Sequence, residues 1–333
     1  MTTATGSRAD PAPVHRPSFF HVYRFQVSII TLLLVLYAVF IVGDPRTYLA
    51  FDIYRSFMIS IPFFGIMAMA STFIVTLGEI DLSFPSIAGL SGWVFSASYV
   101  YSGSFLGALV LCLLVGAVTG LINGLLVTKL GIPSIVATIG TMFLWRGLVN
   151  ILTEGRGIPI SAVTAEPLHA LLVGQVFGII PAQFIWFVGT SILMGVVYRR
   201  HRFGSHVLFT GDNPESARMM GIHVDRVKIL CFVLMGVSAA LSVVFILNQM
   251  LFFWASTGDG YLLTTLAAVF IGGTSVFGGK GTMIGTFVGV LIIASLEPGI
   301  IAIGLTGFWT EFIYGLLITV SVAIYALMLR RRD

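Results

Sequence analysis

Ten apolar stretches near twenty residues long follow one another along the chain, around 25–43, 56–77, 84–102, 104–127, 132–153, 178–198, 229–253, 262–277, 282–303 and 309–329. A run of that length matches the roughly 30 Å hydrocarbon thickness of a bilayer when coiled as an α-helix. In lipid the backbone must satisfy its own hydrogen bonds, which leaves helices as the solution for runs of this kind. The chain therefore reads as all-α, a polytopic helical membrane protein with about ten spans. Charged residues make up only 10% of the chain and hydrophobic ones 57%, so little polar sequence remains once the runs are placed. The first run, preceded by about 24 polar residues, is longer than a signal-peptide core and reads as a retained span.

The basic residues orient the bundle. With ten spans and the N-terminus in the cytoplasm, 14 of the 18 lysines and arginines fall on inside segments. Arg46, Arg55 and Arg156 fall outside, and Arg146 falls within a span. This agrees with the positive-inside rule, and one span more or fewer spoils it. Both termini are thus expected in the cytoplasm. The expected organisation is a tail over 1–24, a transmembrane domain over 25–329 with a long inside loop at 199–228, and a tail over 330–333. The net charge of +4 follows from this topology and does not indicate nucleic acid.

The inside loop carries the most local information. Within RFGSHVLFTGDNPESARMMGIHVDRVK (202–228) a short helix has both ends written out. Asn213 can cap it, Pro214 suits its first position, Glu215 suits its positive end, and Gly221 suits a left-handed stop. A capped helix between two spans is well placed to dock a partner; a solvated loop helix is the plainer alternative. Two shorter connections, GEIDLS (78–83) and IGGTSVFGGKG (271–281), are loosely alike. Asp81 or Ser83 can cap the span that follows the first of them, with Pro85 in its opening turn.

Catalytic and cofactor chemistry finds little support. GGTSVFGGKG fails as a phosphate loop, because Thr274 stands where the first glycine belongs and Gly281 replaces the magnesium-binding hydroxyl. No clustered histidine and cysteine set offers a metal site, and the six histidines read as solvated loop residues. Cys112 and Cys231 both lie in apolar runs and read as small buried hydrophobes. Ionisable groups within spans are costly and therefore candidates for a transport pathway. These are Arg146, about 21 Å along its helix from Ile132, Glu297, which precedes a Pro298–Gly299 kink or break, and Glu311, near the outer end of the last run, where it can simply reach the interface. Asn150 and Asn248 are uncharged companions, and an Arg146–Glu297 ion pair is an equally open reading. Glycines at 116, 120 and 124, and at 281, 285 and 289, form small-residue stripes. Close packing within the chain and a homodimer face both fit such stripes.

Four segments taken in order resemble the permeases of bacterial ABC importers, the ribose, galactose and xylose group. They are GEIDLSFPSIAGLSG (78–92), GLINGLLVTKLGIPSIVATIGTMFLWRGL (120–148), FGSHVLFTGDNPESARMMGIHVDRVK (203–228) and GYLLTTLAAVFIGGTSVFGGKGTMIGTFVGVLI (260–292). Glu79, Asp81 and Ser83 sit in the first, and Gly272, Gly273, Gly278 and Gly279 in the last. Glu79 stands where the family has glycine, and Phe84–Pro85 where Val-Gly is common. The resemblance implies a transport subunit and not an enzyme, with no cofactor bound by this chain. It implies a partner ATPase holding ATP and Mg, an extracytoplasmic sugar-binding protein, and a second permease chain, identical or not, in the bacterial inner membrane. It makes Asn213, Glu215, Ala217, Arg218 and Gly221 the expected ATPase contacts. An importer of nucleosides or branched-chain amino acids shares parts of the pattern, and a stand-alone ion-coupled carrier is the alternative from another class.

Overall fold

A computed structural model describes residues 19–330 of the protein; the expected tails lie largely outside the described residues. Fourteen α-helices form the described chain, seven of them long and apolar enough to cross a membrane. The chain is a polytopic helical bundle. In order the helices are α1 (Phe19–Gly43), α2 (Pro45–Tyr48), α3 (Phe51–Thr76), α4 (Phe84–Ser102), α5 (Phe105–Thr128), α6 (Ser134–Thr153) and α7 (Pro167–Val173). There follow α8 (Ala182–Arg200), α9 (Arg202–Asp212), α10 (Pro214–Met219), α11 (Val224–Met250), α12 (Tyr261–Ile271), α13 (Met283–Ala302) and α14 (Trp309–Arg330).

The core is built on α3 and α11, whose inner stretches are buried around the whole circumference. A helix apolar on all sides belongs in the centre of such a bundle, and these two, without an amphipathic stripe, take that place. By contrast α1, α5, α6 and α8 keep a wide apolar face exposed, including Leu34, Leu114, Phe143 and Ile192. That is the expected surface of a protein solvated by lipid.

Both glycine stripes are consumed by packing inside the chain. Gly116, Gly120 and Gly124 of α5 lie against the backbone at Gly236, Phe232 and Ile229 of α11, too close for any side chain. Gly285 and Gly289 of α13 meet the carbonyls of Gly272 and Ala268 in the same way. Small residues let helices approach where lipid supplies no hydrophobic drive, so neither stripe forms a homodimer face. Cys112 and Cys231 are free and fully buried, as their apolar surroundings require.

Three expectations change. The eighth run is a helix of only 11 residues, because Gly272 and Gly273 end α12 where hydropathy continues. The chain stays helical through Pro298 to Ala302 and does not break there. The polar island holds two helices, α9 and α10. The first was legible in principle: Phe203, Val207 and Thr210 recur at helical spacing, and Val207 and Thr210 face inward, fully buried.

Candidate functional site

The connectors that the charge pattern groups together meet at one end of the bundle. Gly279 donates its backbone N–H to the carbonyl of Thr76 at 2.9 Å, and the Thr76 hydroxyl bonds that of Tyr198 at 2.9 Å. Gly278 and Gly279 have φ of +82° and +71°, the left-handed region that favours glycine. A Cβ on Gly278 would also sit 2.6 Å from the Gly211 carbonyl at the end of α9. Here the 78–83 connector, the 272–282 connector and the long loop touch through bare backbone. Gly272 closes α12 against the first turn of α13, and Gly273 returns its N–H to the Phe270 carbonyl.

The 78–83 connector is fastened by side chains from neighbouring helices. Ser134 and Thr138 at the start of α6 accept the N–H groups of Ile80 and Leu82, each at 3.1 Å. Asp81 accepts from the Ser83 amide at 2.8 Å and the Ser83 hydroxyl at 2.7 Å, and Asn123 of α5 donates to that hydroxyl at 2.7 Å. Ser83 occupies the N-cap position of α4, yet neither it nor Asp81 bonds the helix's free amides. The capping expectation is therefore corrected: these side chains hold the connector to itself and to α5. Burial pushes the Asp81 carboxyl above the usual carboxylate range, and its second oxygen has no partner. Glu79 pairs with Lys228 at the start of α11, both side chains largely shielded from solvent.

In the long loop, Asn213 ends α9 and begins α10, its side-chain oxygen accepting from the Ser216 amide at 2.9 Å. Pro214 opens α10 and Gly221, φ +80°, follows its end, as the sequence predicts. Asn213, Glu215, Arg218 and Gly221 are exposed. Ala217 is the exception: it is fully buried and seats the helix against the body, so it presents no surface. Arg218 and Lys129 both reach Asp225, at 3.6 and 3.0 Å. Sequence reasoning passed over Met219 and Met220, which are 88% and 58% exposed, and Phe209 of α9 is exposed as well. Two adjacent methionines inside a charged island were the available signal, since methionine adapts to irregular partner surfaces.

Inside the bundle, Arg146 of α6 is a clasp. One terminal nitrogen donates to the carbonyls of Ala255 at 2.6 Å and Thr257 at 3.1 Å. The other donates to the Pro85 carbonyl at 3.3 Å and pairs with Asp259 at 2.6 Å. Gly258 packs directly on the Pro85 carbonyl. The guanidinium thus ties the first turn of α4 to the non-helical 251–260 segment before the short α12. Unpaired backbone inside a membrane protein must be met by protein or water, and the planar fork of arginine meets several carbonyls at once. The Arg146–Glu297 pairing is overturned: Asp259 is the partner, while Glu297 lies exposed on α13. Asn150 is exposed one turn beyond Arg146. Asn248 is buried, donates to the Val244 carbonyl and meets the ring of His169 at 3.0 Å. His169, expected to be solvated, instead anchors α7 to α11. Of the four residues read as pathway companions, Arg146 hydrogen-bonds the 251–260 segment, Asn150 is exposed on the same helix, Asn248 holds His169, and Glu297 is exposed on α13. Among the described residues no cluster of metal-ligating side chains occurs.

The family model described as branched-chain amino acid transport system / permease component matches residues 53–322. The autoinducer 2 import system permease protein LsrC of Yersinia pestis (strain Pestoides F) is 34% identical over 291 residues, covering 86% of this chain and 80% of the relative. That of Yersinia pseudotuberculosis serotype O:3 (strain YPIII) is 33% identical over 287 residues, with the same coverage. No solved structure gives a significant match.

Proposed function

The chain belongs to the branched-chain amino acid transport system / permease component family and is the permease subunit of an ABC importer, and on that premise we propose how it is driven and what it carries. The cargo is a sugar-like solute handed over by an extracytoplasmic binding protein, and the autoinducer 2 of the Yersinia systems is the first candidate. ATP and Mg are held by a partner ATPase, and two permease chains form the channel in the bacterial inner membrane. Ten segments cross it: α1, α3, α4, α5, α6, α8, α11, the 251–260 segment together with the short α12, α13 and α14, with both termini and the connector cluster in the cytoplasm. The transmembrane domain spans 25–329 between short tails at 1–24 and 330–333. A branched-chain amino acid cargo is the second reading, favoured by the family's own description.

The observation that carries the mechanism is the α9–α10 unit. It exposes Asn213, Glu215, Arg218 and Gly221 beside Met219 and Met220, while its inner side is locked to the body. The exposed set is the ATPase seat, and buried Ala217 holds it rigid. Movement of the seat reaches the spans by two short routes: Lys228 to Glu79, and Gly211 with Gly279 to Thr76. Both end on the connectors beside α3, α4, α12 and α13, whose repacking switches the pathway between outward- and inward-facing states. Arg146 holds the 251–260 segment against α4 on that pathway; Asn150, Asn248 and Glu297 keep their candidacy as lining residues.

Co-purification from the native host tests this reading. The chain should bring an ATPase and a binding protein, and screening the latter against sugars, autoinducer 2 and leucine should identify the cargo. Glu215→Lys and Met219→Glu should release the ATPase and leave the chain folded. An ATPase that stays bound to both variants places the seat elsewhere.

A further inference from the structure

Beyond the transport pathway, a groove of about 460 Å³ opens on the outer surface between α8 and α13. Its walls are apolar, with Ile192 and Val196 on one side and Met283 and Phe287 on the other. Gly195 forms a hollow in the α8 wall: the nearest atom a Cβ would meet there is 3.9 Å away, so space and not backbone lies above it. At one end stand Arg199 and Arg200, both exposed, in the last turn of α8. Neither has an ion-pair partner among the described residues. That end adjoins the connector cluster, since neighbouring Tyr198 bonds Thr76.

We propose that this groove is a binding site for one anionic phospholipid of the adjoining leaflet. An acyl chain lies along Ile192, Val196 and Phe287, over Gly195, and the phosphate sits between Arg199 and Arg200. Charge complementarity decides the occupant. An apolar trough ending in two unmatched guanidiniums fits a molecule with one hydrophobic and one anionic end, and bilayers supply that molecule to basic pockets between helices. Arginine also matches phosphate with a bidentate fork, and the ammonium of a zwitterionic headgroup offsets that attraction by like-charge repulsion. The lipid would wedge α8, which continues directly into α9, against α13.

Native mass spectrometry of the detergent-purified chain tests the site, with phosphatidylglycerol and phosphatidylcholine of identical acyl chains as probes. Phosphatidylglycerol should be retained about tenfold better or more. The exposed double change Arg199→Gln with Arg200→Gln should abolish that preference. Gly195→Leu, whose Cβ has room and whose side chain extends into the hollow, should lower retention of both lipids. Equal retention of the two lipids, or a preference that survives both variants, overturns the proposal. Displacement by inorganic phosphate would reassign the arginines to a free anion and also overturn it. So would disulfide-linked dimers through Ile192→Cys in a chain whose own cysteines are buried, because a second copy would then occupy the groove.

Discussion

Replacing Arg146 with methionine keeps length and removes the guanidinium, which isolates what the clasp contributes. Three carbonyls, at Pro85, Ala255 and Thr257, lose a charged donor together, and Asp259 loses its counter-ion. A buried acceptor left unmatched costs about 1–3 kcal/mol, whereas interhelical hydrogen bonds in membranes average only about 0.6 kcal/mol. Weighing the two, Arg146→Met should destabilise by about 3 kcal/mol. Arg146→Lys keeps the charge, but an ammonium reaches fewer of the four oxygens, so about half of that loss should remain. Asp259→Asn removes only the ion pair, whose carboxylate side chain is 60% exposed; exposed pairs contribute about 1 kcal/mol or less. Reversible unfolding in mixed micelles of rising dodecyl sulfate measures all three. Hydrogen exchange over residues 251–260 should accelerate most for methionine and least for asparagine. If Asp259→Asn proves as costly as Arg146→Met, the charge pair holds this region and the carbonyl clasp does not.

The Glu79–Lys228 pair is shielded enough that removing either partner should cost about 2 kcal/mol, between exposed and buried pairs; the exchange Glu79→Lys with Lys228→Glu should recover at least half in the same unfolding assay and restore transport coupled to ATP use. Gly116→Val should prevent a stable fold, since Gly236 backbone occupies the space its side chain needs, and size-exclusion chromatography of expressed protein would show aggregate. Asn213→Ala removes the cap of α10 and should lower local stability by about 1 kcal/mol, seen as faster exchange over 214–219 with the spans unchanged.

Much of the candidate site was readable locally. The ends of α10 followed from Asn213, Pro214 and Gly221 because capping depends on neighbours within a few residues, and each stands where the structure uses it. The other loop helix, α9, was missed because it is only three turns long and polar residues surround its inward stripe. Arg146 was picked out by the cost of an intramembrane charge, yet its partner was misassigned. Glu297 looked the natural choice because it lies inside an apolar run, while Asp259 sits in what reads as an outer loop. The 251–260 segment packs inward on α4, and nothing within its ten residues announces that course.

What the sequence determined by itself was the kind of solvent this protein meets. Apolar run length, sparse charge and the placement of bases answer to bilayer thickness and insertion, which act on each segment separately. Only the tertiary structure decided which helices are central, where the glycine stripes face, that Ala217 is a buried anchor of α10, and which carbonyls and carboxylate Arg146 holds. Those depend on contacts between residues far apart in sequence, such as Pro85 and Ala255, 170 positions apart, sharing one guanidinium. In lipid, where one apolar face is as well solvated as another, such choices rest on close backbone approach and polar matching between segments.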